Sequence, residues 1–289
     1  MKKAIILLAV ALTAFAAGRA QTIVTFSTDG GAQAFNTAEV QQTVIDTATL
    51  EVSYRMEWMR RPDSEKPTED LMLLQAGGRT SKFFSYKTLQ RDSLLRVTPS
   101  EQVLANPGNF KGGVQYAVFQ NYPQGELTCT DKIATDYLLY TEPLPEIGWE
   151  LSPRTREIIG YTCRRATCTF RGRDYEAWYT EEIPLGLGPW KFRGLPGLIL
   201  AVNDLAAPQG IIRFEATGIR KSRTPVTMAD LNYLKTSRKK FRSTEQKFMT
   251  DPIGYMSANS GVKITVQNPD GTPREGADLI RQYNPLELE

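Results

Sequence analysis

The carboxylates Glu181 and Glu182 stand side by side, with Asp174 and Glu176 a few residues upstream. Paired carboxylates are the minimum equipment for glycoside hydrolysis, one donating a proton and the other acting as base or nucleophile. Adjacent residues of an extended chain point to opposite faces, so Glu181 and Glu182 cannot serve one substrate together, and either would need a partner such as Asp174 or Glu176. The chain contains no histidine, which removes Ser-His-Asp and Cys-His hydrolases and the common metal-ligand sets in one step. No G-x-S-x-G, P-loop or dinucleotide fingerprint is present, and Gly186-x-Gly188 is followed by Pro189, which lacks the N–H a phosphate would need. No catalytic residue, metal site or cofactor is therefore assigned. An enzyme of this composition would run on carboxylates, tyrosines or lysines.

Thiol chemistry is the next option. Cys129, Cys163 and Cys168 allow at most one intramolecular disulfide. On a single strand Cys163 and Cys168 would face opposite ways with Cα atoms roughly 16 Å apart, well beyond the ~7 Å that a bridge tolerates. That leaves Cys129 paired with Cys163 or Cys168, or three buried free thiols. Zinc is disfavoured, because C-x4-C with one distant cysteine supplies too few ligands.

Aromatic rings could recognise a ligand without any bond chemistry, and they concentrate in one region. Residues 171–180 read Arg-Gly-Arg-Asp-Tyr-Glu-Ala-Trp-Tyr-Thr, then come Ile183-Pro184, residues 188–192 (Gly-Pro-Trp-Lys-Phe) and residues 194–199 (Gly-Leu-Pro-Gly-Leu-Ile). Gly172 predicts a tight turn between two strands, and Gly194, Leu195, Pro196 and Gly197 a sharp turn that delivers Leu198 and Ile199 into a buried strand. On one reading this is a packed structural corner; on the other, Trp178, Trp190 and Phe192 line an open groove for an apolar or glycan ligand.

The order of these residues, with Gly160-Tyr161-x-Cys163 before it and Asn284-Pro285-Leu286-Glu287 at the end, resembles the GLPGLI family of exported proteins of Gram-negative bacteria. The resemblance runs from about residue 149 onward. The family supplies no established activity and hence no catalytic residue to carry over. What it implies is export to the cell envelope.

The elements that must position these groups are mostly strands. Leu50, Val52, Tyr54, Met56 and Trp58 alternate with Glu51, Ser53, Arg55 and Glu57, the period of a half-buried strand. Similar runs recur through the chain, at 71–75, 82–86, 93–97, 127–131, 157–170, 175–180 and 211–218 among others, with Gly and Pro between them. Residues 60–70 read as a hairpin loop. The fold class that follows is mainly β, a strongly curved antiparallel sheet of bowl or half-barrel form, with one long helix near 227–250 where Leu231, Leu234, Phe241 and Phe248 share a face. Thr227 would cap that helix and Asp251-Pro252 end it. Its other side carries Lys235, Arg238, Lys239 and Arg242, a solvated face or a docking surface for an acidic partner or a phosphate-bearing lipid or glycan.

Residues 1–20, with Lys2 and Lys3 before an apolar run and small residues at 18–20, read as a cleaved signal peptide too short to span a bilayer. Residues 21–289 then form a single β domain, in the periplasm or exported further. Removing 1–20 takes three of the 35 basic residues and none of the 32 acidic ones, leaving equal numbers. Nothing then favours nucleic acid, and stacking aromatics are not interleaved with the bases. The functional expectation is an envelope protein that binds a lipid, a glycan or a protein partner on a concave sheet. The alternatives are a secretion-accessory protein without a small ligand and a histidine-independent hydrolase using carboxylates.

Overall fold

A computed structural model describes residues 23–27, 40–206, 212–259, 263–268, 272 and 279–289. The expected signal peptide at 1–20 lies outside them. The chain runs β1 (Ile23–Ser27), β2 (Gln42–Trp58), β3 (Thr68–Gly77), β4 (Ser81–Ser85), α1 (Tyr86–Val97), α2 (Ser100–Ala105), β5 (Ala117–Gln120), β6 (Glu126–Ile133) and β7 (Asp136–Pro143). It continues with β8 (Glu150–Ile158), β9 (Tyr161–Phe170), β10 (Arg173–Thr180), β11 (Leu198–Asp204), β12 (Ile212–Lys221), β13 (Pro225–Ala229), β14 (Leu234–Lys235), α3 (Arg238–Thr250), α4 (Pro252–Asn259) and β15 (Lys263–Gln267). The protein is mainly β, and the 60–70 segment is the expected link between antiparallel β2 and β3.

Thirteen strands form one open sheet in the order β14-β7-β6-β5-β4-β3-β2-β12-β11-β10-β9-β8, with β13 also on β2. It consists of two meanders, β2 outward to β7 and β8 inward to β12, joined where β2 pairs β12. Among the described strands only β14 runs parallel to its neighbour, β7. Consecutive β7 and β8 thus lie ten strand spacings apart along the sheet, roughly 48 Å if it were flat. The link from Pro143 to Glu150 spans at most about 25 Å of extended chain. The sheet must curl for the link to reach, and curvature follows from connectivity alone.

The inner face carries the core. Val52, Tyr54, Met56 and Trp58 of β2 are buried, and the Tyr54, Phe83 and Phe214 rings meet edge to edge at 6.0 and 5.8 Å. The hollow is filled from within, because the segment between β10 and β11 folds into it with Trp190, Phe192 and Leu195 all buried.

The helical expectation needs correction in its extent. Residues 225–229 form β13 on the first half of β2, residues 234–235 form β14 on β7, and the helix starts only at Arg238. The cap is Ser237, whose hydroxyl accepts the Lys240 N–H at 3.3 Å, not Thr227. At seventeen residues β2 extends beyond its pairing with β12, and β13 takes up the ladder groups left open there. Residues 93–97, expected as a strand, belong to helix α1, which Ser85 caps by accepting the Thr88 N–H at 3.0 Å. Among the described residues no helix is long and apolar enough to cross a membrane.

Candidate functional site

The corner from β10 to β11 is a packed structure. Trp190 and Phe192 meet at 5.4 Å, and Phe192 meets Tyr175 of β10 at 4.8 Å. Gly197 is obligatory there, since a Cβ on it would lie 2.0 Å from the Thr180 carbonyl oxygen. Leu195, Leu198 and Ile199 are buried, Pro196 and Gly194 exposed, and the Tyr54 hydroxyl donates to the Ile199 carbonyl at 2.8 Å. Gly172, at a φ of +76°, makes the β9 to β10 turn. The three aromatic rings do not converge. Trp178 lies on the opposite face of β10 from Tyr175, under the Arg156 guanidinium at 4.7 Å, with its N–H on Glu176.

Between Trp190 and Phe192, Lys191 is fully buried. Its ammonium donates to the Tyr140 hydroxyl at 2.8 Å, to Glu142 at 2.9 Å and to Glu287. All three of its protons are thereby used, so Lys191 is a tie and not a free nucleophile. Arg171 adds a 2.7 Å bond to Glu142, and Arg238 reaches Glu287 at 2.6 Å and Glu142 at 3.3 Å. Burial alone would raise the Glu287 carboxyl, but the charge of Lys191 and the bonds from Lys191 and Arg238 hold it below its usual range. The C-terminal segment is fixed further by Arg173, which donates to Asp204, to the Asn284 side chain and to the Pro285 carbonyl.

This arrangement divides the basic face of α3 and β14. Arg238 and Arg242 turn toward main-chain oxygens of Glu287 and Glu289, while Lys235 and Lys239 are exposed. No disulfide joins Cys129 to Cys163 or Cys168; of the alternatives the spacing leaves open, the structure has three buried free thiols. Cys129 lies on the inner face beside Tyr140. Cys163 and Cys168 lie five residues apart on β9 and therefore on opposite faces, with Cys168 opposite inward-facing Tyr175 in the register. Burial pushes Cys129 and Cys168 up to about 12 and Cys163 to about 11. The four carboxylates singled out in the sequence are each engaged separately, Glu181 by Arg164, Glu182 by the Thr162 N–H, Asp174 by the Thr169 hydroxyl and Glu176 by Arg165 and Trp178.

One cavity adjoins this knot, and a larger cleft lies beyond it. The adjoining one, of about 30 Å³ and sized for water and not for an organic ligand, is lined by Cys129, Asp131, Tyr140, Lys191, Glu245 and Glu287 among others. Asp131 is pushed up to about 7, first by burial and then by the negative charge of Glu245. Burial also raises Glu245, although the Tyr283 hydroxyl donates to it at 2.7 Å.

Asp131 and Tyr116 also border an open cleft of about 1050 Å³, walled by β4 to β7 on one side and by α1, the 107–110 turn and β13 on others. Phe84, Phe119, Leu95, Phe110, Tyr137 and Tyr233 give it an apolar lining. Lys82 stands on this wall. Its ammonium donates to the Thr227 carbonyl at 2.6 Å and lies 4.4 Å from the centre of the Phe84 ring, and desolvation lowers it to about 8. Lys82 pairs in register with Phe119, and Phe119 with Thr128. Asp131 shares the face of Cys129, so Lys82 and Asp131 lie on opposite faces and do not act as one couple.

Sequence reasoning singled out neither Lys191, Asp131, Glu245 nor Lys82. A signal existed for Asp131, which sits at the parity of Leu127, Cys129 and Ile133 and is a lone carboxylate on the apolar face of its strand.

Against known proteins, a family model described as a protein of unknown function, Porph_ging, matches residues 171–201, the stretch from the β9 to β10 turn through the packed corner into β11. No curated protein matches the chain. Two solved structures of PNGF-II, in space groups P21 and C2, are similar with TM-scores of 0.47 and 0.46 at 14% identity. The alignments cover 69% of this chain but only 33% and 32% of theirs, so this chain spans about a third of that protein's length.

Proposed function

We propose that this is an exported cell-envelope protein that binds a ligand with an apolar body, and that the ligand enters the lateral cleft and not the hollow of the sheet. The observation that carries this reading is the contrast between the two spaces: the hollow is filled by Trp190, Phe192 and Leu195, whereas the cleft is open, about 1050 Å³ in volume and lined largely by aromatic and aliphatic side chains. A volume of this size is at the upper end for sites that take drug-sized molecules. Export rests on the composition of residues 1–20. An accessory protein without a small ligand would pair a filled hollow with a flat polar exterior, and the cleft is the feature that argues against it. The test is native mass spectrometry of protein purified gently from its own compartment. A retained lipid or glycan supports the reading and names the ligand class; a bare chain that also takes up no amphiphile in titration sinks it.

A second reading has one observation in its favour. Asp131 and Glu245 line the same small cavity, and Asp131 opens onto the cleft, as a general acid beside a second carboxylate would. Hydrolysis of chromogenic glycosides or esters that disappears in Asp131→Asn would move the assignment from binding to catalysis.

A further inference from the structure

Within the cleft the charges are unequally partnered. Arg91 is bound to Asp92 at 2.8 Å and to Gln115 at 3.2 Å, so its guanidinium is occupied. Lys82 has three protons to donate and, among the described residues, one acceptor, the Thr227 carbonyl. Among the described residues no carboxylate pairs with it, and its ammonium rests near the Phe84 and Phe119 rings at 4.4 and 5.5 Å. The lowered affinity of Lys82 for its proton has the same origin, removal from water without a counter-ion. A half-buried ammonium in this state is stabilised by whatever anion the cleft admits.

Resting on the reading of the cleft as a ligand site, we propose that Lys82 is the head-group site and that the ligand is a long-chain carboxylate, its chain lying on the aromatic lining and its carboxylate taking the two unused protons of Lys82. The head is a carboxylate in preference to a phosphate because one compact ammonium supplies one positive charge, whereas a phosphate dianion is held by several donors or by an arginine fork, and of the two arginines on the lining Arg91 is already engaged and Arg96 is exposed in the last turn of α1. The other acidic residue on the lining besides Asp92 is Asp131, which has the opposite strand parity to Lys82 and forms no ion pair with it among the described residues.

The experiment is calorimetric titration of the full chain with dodecanoate and with dodecan-1-ol at pH 7. Dodecanoate is expected to bind roughly tenfold or more tightly than the alcohol, the effect of one charge-assisted bond. In Lys82→Met that advantage vanishes while the alcohol binds as before, and Lys82→Arg restores part of it. Equal affinity for the two probes in the native chain, or a carboxylate preference that survives Lys82→Met, overturns the head-group assignment and leaves the cleft reading intact. Binding of both probes unchanged by Ala117→Trp, a substitution on the cleft wall, shows that they bind elsewhere and overturns the cleft reading too, as does the absence of any binding. Retained far-ultraviolet circular dichroism and a cooperative urea transition establish that each variant is folded.

Discussion

At Lys191 the chain places a charge between two buried aromatic rings and then meets it with a tyrosine hydroxyl and two carboxylates. Removing one partner of such a group leaves the others buried and unpaired, which typically costs about 3 to 5 kcal/mol. Lys191→Met is accordingly expected to lower the unfolding free energy read from urea titration by at least about 2 to 3 kcal/mol, with Arg171 and Arg238 absorbing part of the loss. Adding Glu287→Gln to Lys191→Met should recover some of it, and a double variant worse than the single one would show that the two do not form one unit. Asp131 gives a test against pH. Its ordinary value of 3.8 rises to about 7 in the fold. Below about pH 4 it is protonated folded and unfolded and costs nothing; from there to about pH 7 only the unfolded state ionises, so its presence destabilises progressively, and above that the penalty is complete. Asp131→Asn should therefore raise the melting temperature more at pH 8 than at pH 4, by on the order of 2 to 4 kcal/mol in free energy; thermal melts with the same gain at both values would contradict the assignment. Strand parity made Asp131 visible in the sequence, but its neighbour Glu245 comes from a helix over a hundred residues later, and parity cannot reveal that meeting.

Strands and turns were the most legible elements, because a side chain must alternate between core and solvent, as Val52, Tyr54 and Met56 against Ser53 and Arg55 do. Helices were less so. The 227–235 stretch has apolar spacing that suits a helix, yet open ladder groups on β2 and β7 claim it as strand, a tertiary demand that outweighs local preference. The turn-rich unit from Gly194 to Gly197 is legible in the sequence, but which way its rings face is not, because that depends on Phe192 packing against Tyr175 of β10. Two glycines separate turn chemistry from close approach. Gly197→Ala would drive a Cβ to 2.0 Å from the Thr180 carbonyl oxygen, whereas a Cβ at Gly78 meets nothing within 4 Å. The first is expected to cost about 2 kcal/mol or more and the second to stay within about 0.5 kcal/mol, as read from urea unfolding; similar values for both would mean that the corner yields freely.

The order of strands across the molecule was not legible, since β2 meets β12 across some 160 residues of chain and nothing in the alternation of either run selects the other. Once that pairing is known, the short link between β7 and β8 dictates the curl. The thiols illustrate the same limit: their spacing left a bridge open, and only placement on separate faces and strands keeps them apart. Intact protein should show no 2 Da deficit, and its three thiols should react with Ellman's reagent only after denaturation, because burial both hides them and holds them as thiols; fast reaction in native buffer would contradict the burial. Finally, the curled sheet is open, and where its margins approach, Glu142 on β7 is joined to Arg171 at the β9 turn and to Lys191 by side chains, without a ladder of backbone bonds. Under mechanical load that seam is where the shell should part first, the ion pairs releasing one by one while each meander, held by its own backbone ladder, is carried aside whole.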